Sequence, residues 1–273
     1  SKTPFMLGPQ TYGPYKNKIL RHWAKTVIKR SDFTYTRDGM SGDYVYNLWN
    51  YQMKQVTDVA FALPYDKSSE EEFSETPSKI RIGINISGLL WQGGYTKNNQ
   101  FGLKTDYKCY CRKIIEYLYH NDKYQIFLIP HVGYAGKKTE ENDYIPCFEL
   151  IKEYPNITLI DRTETASDIK SEIAKMHIFI GARMHATIGA FSSGVATIPF
   201  SYSRKFEGLY HSLNYPYVIE AIEYGTEENV KKTKEYIDNY KELKKNVEKS
   251  MEKVREYQEE FRGDLARLLS NRG

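Results

Sequence analysis

From residue 79 onward the chain alternates short, β-branched apolar runs with amphipathic stretches of helical period. That alternation limits the fold more than any other feature. Apolar runs at 80–86, 125–130, 157–160, 178–180 and 196–200 are bounded by polar or glycine residues and have the length of strands. Between them lie helical patterns at 107–120, with Ile114, Ile115 and Leu118, at 145–153, at 167–176 with a Ser or Asp N-cap, and at 184–193. Residues 201–208 read as the loop after the last strand. Strands separated by helices pair in parallel and are covered on both faces. A shorter series precedes this one. It has a strand at 4–7 running into the Gly/Pro-punctuated loop 8–14, then a helix carrying Ile19, Leu20, Trp23, Val27 and Ile28. A strand at 33–36, a short helix at 44–48 and a third strand at 56–63, with Asp58 beside it, complete the series. Residues 67–78, rich in Glu, Ser and Pro and without periodicity, read as a linker. The expected architecture is two α/β units with a crevice between them, at 1–76 and 79–225, and a helical tail at 226–273.

The length of 273 residues suits about two domains. The 39 Lys and Arg against 35 Asp and Glu leave a net charge of only +4, and in the tail the two signs are interleaved. That tail reads as a solvated helical face, so no nucleic-acid partner is expected. Three cysteines, Cys109, Cys111 and Cys147, offer neither a disulfide framework nor a zinc knuckle, which points to a reducing, cytoplasmic setting. No run approaches the roughly 18 apolar residues of a membrane span. The opening SKTPFMLGPQ lacks the pattern of a secretory leader. It starts on Ser1 almost directly before an apolar run, as if residues preceded it or the first unit were cut.

In open parallel sheets, ligands bind beyond the carboxyl ends of the strands. The clearest strand end is 178–181, followed by Ala182, Arg183, Met184 and His185 at the start of a helix. Free N–H groups and the positive end of the helix dipole favour an anion there. Arg183 adds a planar fork for a carboxylate or phosphate, and His185 adds a proton donor near neutral pH. The next strand end adds Ser201, Ser203, Arg204 and Lys205. Together they describe a site for a small, multiply anionic ligand. The competing reading makes Arg183 a surface charge and His185 a capping or core histidine. His131 follows the strand at 125–130 and belongs to the same edge, and Arg37-Asp38 closes the strand at 33–36. Gln10 lies in the Gly/Pro loop. Trp91 fits either a sugar-stacking platform or the core. His22, His120, His177 and His211 read as structural. Metal-ligand spacings are absent, as are the nucleophile elbow, the Walker A loop and the GxGxxG fingerprint.

These residues resemble a known family. The stretch 168–174, the run Ile178 to Ala186, Gly194-Val195-Ala196-Thr197-Ile198-Pro199, Ser201-Tyr202 and Lys205 to Gly208 look like the C-terminal signature of polysaccharide pyruvyl transferases. Gly8 to Pro14, Arg37-Asp38 with Ser41, Asp58 with Ala60-Phe61, Gly83 to Ser87 and Pro130-His131 extend the match over residues 4 to about 215. Arg-x-His with the following Gly-Val-x-x-Ile-Pro and Ser-Tyr is its most specific part.

The resemblance implies two Rossmann-like domains in the glycosyltransferase B arrangement, with the N-terminal one incomplete because Ser1 maps well inside it. It also implies transfer of pyruvate from phosphoenolpyruvate to two hydroxyls of a surface or extracellular polysaccharide precursor, as in capsule, exopolysaccharide or cell-wall synthesis. Arg183 and His185 map onto the family's Arg-x-His and would be catalytic. Lys205, Arg37, Gln10, His131 and Ser201 would bind substrate. No metal or cofactor is needed beyond the donor. The expected partners are phosphoenolpyruvate and a sugar or lipid-linked acceptor, met in the cytoplasm or peripherally at the inner face of the membrane. Two other readings stay open: a nucleotide-sugar glycosyltransferase of similar fold, and a non-catalytic sugar-binding or interaction fragment.

Overall fold

Three short strands, β1 (Met6–Gln10), β2 (Phe33–Thr36) and β3 (Lys54–Gln55), pair in parallel in that order. The computed structural model describes residues 4–67, 78–134, 136, 139–161 and 164–270. The linker expected at 67–78 therefore lies, except at its ends, outside the described residues. Helix α1 (Lys18–Arg30) starts where Asn17 Oδ1 accepts the Ile19 N–H at 2.8 Å, which satisfies one orphan donor of the first turn. Helix α2 (Gly39–Trp49) begins earlier than the expected 44–48. Asp38 caps it by accepting the Ser41 N–H at 2.7 Å.

The strand expected at 56–63 is not formed. β3 ends at Gln55, and Val59–Ala62 is a 3-10 turn capped by Asp58, whose Oδ1 accepts the Ala60 N–H at 2.9 Å. Local capping defeats the β-propensity of this run, and the turn delivers Phe61 edge-on to the Phe191 ring.

The second sheet is built from β4 (Ile80–Asn85), β5 (Tyr124–Leu128), β6 (Thr158–Leu159), β7 (Ile178–Gly181), β8 (Ala196–Ser201) and β9 (Ile219–Glu220), all parallel. Its order, β6-β5-β4-β7-β8-β9, is the doubly wound order 3-2-1-4-5-6 when strands are counted within the sheet, with the switch point between β4 and β7. Helices α3 (Gly88–Trp91), α4 (Tyr107–Tyr119), α5 (Tyr144–Glu153), α6 (Ala166–Ala174), α7 (Met184–Ser192) and α8 (Arg204–Ser212) make the connections. Both faces are covered, as the near-continuous apolar strands require. Ile178 and Ile180 pack with Ile114, Ile115 and Leu118 of α4, while Phe179 between them packs with Ile173 and Ala186 on the opposite face.

Two local readings change here. Residues 201–208 are not a loop throughout, because α8 starts at Arg204. Phe206, Leu209, Tyr210 and Leu213 recur at helical spacing and bury together, which is what drives the helix. The N-cap of α6 is Thr165 rather than a Ser or Asp. Asp168 closes a capping box with it, accepting the Thr165 N–H at 2.8 Å.

The tail is two helices, α9 (Thr226–Asp238) and α10 (Tyr240–Ser270). α10 crosses both sheets' territory. Val247 and Val254 are buried with Phe191, Phe206 and Tyr210, and farther along Asp264 accepts from Tyr35 Oη and Lys54 Nζ, both at 2.6 Å. The tail thus clamps the first unit to the second.

Helix α1 departs most from its pattern. Of its five large apolar residues only Ile28 is buried, whereas Ile19, Leu20, Trp23 and Val27 face solvent.

Candidate active site

The carboxyl ends of β4 and β7, at the switch point, are tied together by polar side chains. Gly181 must be glycine: a Cβ there would lie 2.7 Å from the Phe179 ring and 2.8 Å from Thr187 Cγ2. That close turn puts Arg183 at the N-cap of α7, where no side chain caps the helix. The Arg183 N–H donates to Asn85 Oδ1 at 3.0 Å, which joins α7 to the end of β4.

Asp143, at the start of α5, is the hub of this region, and its side chain is fully buried. It accepts from Arg183 Nε at 3.2 Å and Nη2 at 2.8 Å, from the backbone N–H of Gly88 at 2.9 Å, and from those of His131 and Val132 at 3.1 Å each. Asn85 Nδ2 donates to it as well, at 3.3 Å. Arg183 Nη2 also donates to the Glu141 carbonyl at 2.6 Å, and its side chain is only 11% exposed. Burial opposes the charge, yet Asp143 more than offsets this, so the Arg183 pKa stands above the ordinary arginine value. Most of the guanidinium is therefore committed to holding the loops together; Nη1 has no hydrogen-bond partner among the described residues.

A second polar cluster meets the first from the other sheet. Arg37, just past β2, pairs through Nη1 with Asp58 Oδ2 and donates through Nε to Thr11 Oγ1 at 2.9 Å. His185, in the first turn of α7 and 57% exposed, brings Nε2 to 3.9 Å from that same Asp58 oxygen. Asp58 thus stands between an arginine from the first unit and a histidine from the second. His131 links the two clusters, being within electrostatic range of Asp143, Arg183 and His185. Its buried Nδ1 has no hydrogen-bond partner among the described residues. Burial lowers its pKa from 6.5 to about 4, with Asp143 opposing and His185 and Arg183 assisting, so the ring is neutral at pH 7.

That shift makes a stability prediction. Between pH 6.5 and about 4 the unfolded chain binds a proton on His131 that the folded chain refuses, so stability falls as pH falls through this window. The slope is about 1.4 kcal/mol per pH unit. His177, also lowered by burial, adds in the same direction. Urea midpoints measured against pH should flatten by the His131 share in His131→Gln, and an unchanged slope would contradict the shift.

The remaining expected residues are placed less centrally. Lys205, in the first turn of α8, is exposed and has no ion-pair partner among the described residues. One turn on, Gly208 lies against Asp38, where a Cβ would sit 3.3 Å from the Asp38 side chain, so α8 packs against the residue that follows Arg37. Like α7, it has no side-chain cap. Ser201 is buried at the end of β8 and donates to the Ser203 carbonyl at 3.4 Å. The Gln10 amide turns onto the Tyr12 phenol at 3.0 Å, and the contribution of Gln10 is its carbonyl, which accepts the Arg37 N–H at 3.3 Å. Trp91 is core rather than platform: it is buried, and its Nε1 donates to Glu149 at 3.0 Å.

Sequence reasoning passed over Asp58, Asp143 and Thr11 as site residues. Asp58 had a signal in its place beside an expected strand and in the family resemblance. Asp143 had none, because its partners lie 11 to 58 residues away in the chain.

Comparison with known proteins identifies a family and a fold. The family model of polysaccharide pyruvyl transferases matches residues 1–204. No curated protein matches the chain in sequence. Among solved structures, a UDP-forming α,α-trehalose-phosphate synthase from Burkholderia xenovorans superposes with a TM-score of 0.57 at 9% identity, over 98% of this chain and 69% of that one. A sucrose-phosphate synthase from Thermosynechococcus elongatus gives 0.54 at 11% identity, over 94% of this chain and 63% of that one. The accessory secretory protein 1, 2 and 3 structure from Streptococcus pneumoniae gives 0.53 at 14% identity, over 90% of this chain. The chain spans only 44% of that last structure's chain. At such identities the likeness is one of fold, the two-unit glycosyltransferase B type. With the family model covering most of its length, the chain belongs to the polysaccharide pyruvyl transferase family.

Proposed function

We propose that the protein transfers the enolpyruvyl unit of phosphoenolpyruvate to two hydroxyls of one sugar in a polysaccharide precursor, closing a cyclic pyruvate ketal. The observation that carries this reading is the meeting of Arg37 and His185 on Asp58, beside a neutral His131 whose Nδ1 has no hydrogen-bond partner among the described residues. Phosphoenolpyruvate bears a carboxylate and a phosphate and needs several fixed donors. Arg37 Nη2, which has no partner among the described residues, the uncapped first turns of α7 and α8, and Lys205 are the donors this reading assigns to it.

His185 is the acid in this scheme. Its proton goes to the methylene carbon, which becomes the methyl group and leaves C2 electron-poor. Asp58 lies 3.9 Å from His185 Nε2. A sugar hydroxyl then forms a bond to C2 and gives up its proton. The C2–O bond to phosphate breaks, with its electron pair leaving on the phosphate. A second hydroxyl of the same sugar closes the ring and loses its proton in turn. One hydroxyl proton restores His185 and the other leaves with the phosphate, so the step balances.

The test is incubation of the full-length protein with phosphoenolpyruvate and model or lipid-linked glycosides. Expected are phosphate release that depends on acceptor and a product heavier by the pyruvate ketal. Thermal protection by phosphoenolpyruvate but not by a nucleotide sugar is expected beside it. Protection by the nucleotide sugar alone would overturn the reading in favour of a glycosyltransferase, and protection by a bare glycan alone in favour of a binding module.

A further inference from the structure

Asn85 is the last residue of β4, is only 2% exposed, and uses both ends of its amide. Its Oδ1 accepts the Arg183 N–H at 3.0 Å, while Nδ2 donates to the Ile129 carbonyl at 3.1 Å and to Asp143 Oδ2 at 3.3 Å. These partners are the N-cap of α7, the residue that follows β5, and the residue that opens α5. One side chain thus ties three elements together at the switch point, where its own strand lies in register with Gly181. An amide suits the place because it offers a donor beside an acceptor. A carboxylate would offer acceptors only and would face Asp143.

His185, by contrast, has little to hold it. It is 57% exposed, and Asp58 Oδ2 is 3.9 Å away. No side chain caps α7, so the bond from the Arg183 N–H to Asn85 seats the backbone of the first turn on β4. His131 lies on the other arm of the amide. It stands two residues after Ile129, and its N–H shares Asp143 Oδ2 with Asn85. A displacement of about 1 Å at a reacting group can cost about 10²-fold in rate. We infer that Asn85 is a positioning residue for the transfer, setting His185 through the start of α7 against the loop that carries His131. It acts through α7 and not by contact with a substrate. This rests on the acid role given to His185 above.

The test compares Asn85→Ala, His185→Ala and the double variant in phosphoenolpyruvate-dependent transfer by the full-length protein, at a temperature where circular dichroism shows each folded. Expected for Asn85→Ala is a kcat lower by about tenfold or more. Its KM for phosphoenolpyruvate should stay within about twofold, because Arg37 is held by Asp58 and Thr11 rather than by Asn85. The double variant should be no slower than His185→Ala, since the group that Asn85 places is gone. Asn85→Asp serves where Asn85→Ala does not fold. Its protonated carboxyl again offers a donor beside an acceptor, so its kcat relative to the unsubstituted protein should rise as pH falls. Asp143 of α5, Arg183 of α7, His131 after β5, and Tyr107 and Cys111 of α4 surround position 85 in both proteins, so the ratio isolates that position. An unchanged kcat for Asn85→Ala, a loss confined to KM, or a double variant slower by the full Asn85 factor overturns the inference and leaves His185 as the acid. A ratio for Asn85→Asp that does not change with pH does the same. Full transfer by His185→Ala overturns the acid role itself, and the inference falls with it.

Discussion

Asp143→Ala is expected to lower folding stability by about 3–5 kcal/mol, the cost of leaving a buried charge without its partner. The carboxylate is fully buried and the Arg183 guanidinium nearly so, so water cannot replace what is lost. The variant also strands the N–H groups of Gly88, His131 and Val132, which now converge on its two oxygens. Asp143→Asn preserves the size and one acceptor but leaves Arg183 without a counter-charge, so an intermediate loss is expected. A double variant, Asp143→Leu with Arg183→Met, removes both charges at similar volume. It should recover more than half of the lost stability while remaining inactive. Urea denaturation followed by circular dichroism measures all three. A loss under about 1 kcal/mol for Asp143→Ala would show that the loops at the switch point do not depend on this hub.

His185→Ala should separate chemistry from folding in the opposite way. Its side chain is 57% exposed and its nearest ionic partner is 3.9 Å away, so stability should barely move. Removing a general acid costs typically 10²–10⁴ in rate, and that loss is expected in kcat for phosphate release by the full-length protein. Asp58→Asn should give a smaller loss in kcat together with a raised KM. Asp58 pairs with Arg37 and lies 3.9 Å from His185, and the proposed scheme gives Arg37 the donor. If His185→Ala retained most of the transfer rate, the acid role would pass to another group.

Much of the fold was legible because the second sheet's strands are buried on both faces. Such strands read as continuous apolar runs wherever they occur, and β4, β5, β7 and β8 did so. Readings failed where short-range hydrogen bonds competed with propensity. Asp58 turns an apolar run into a capped 3-10 turn, and the Phe206–Tyr210 stretch becomes helix because its aromatic face has a core to enter. Helix α1 failed differently. Its apolar spacing is real, but nothing in the spacing tells whether a helix stripe meets a core, and here only Ile28 does.

The same division runs through the site. Arg183 and His185 were visible from local sequence, as a basic pair following a buried strand at the start of a helix. Their division of labour was not visible. Two residues apart on α7, they turn to different partners, Arg183 inward to Asp143 and His185 outward toward Asp58. Sequence alone determined the alternating pattern, hence parallel sheets, and with them the strand ends where polar groups had to gather. Only the tertiary structure decided which of those groups meet. Burial and ion pairing depend on side chains brought together from distant positions, and no local pattern encodes the counter-charge that a given arginine will find.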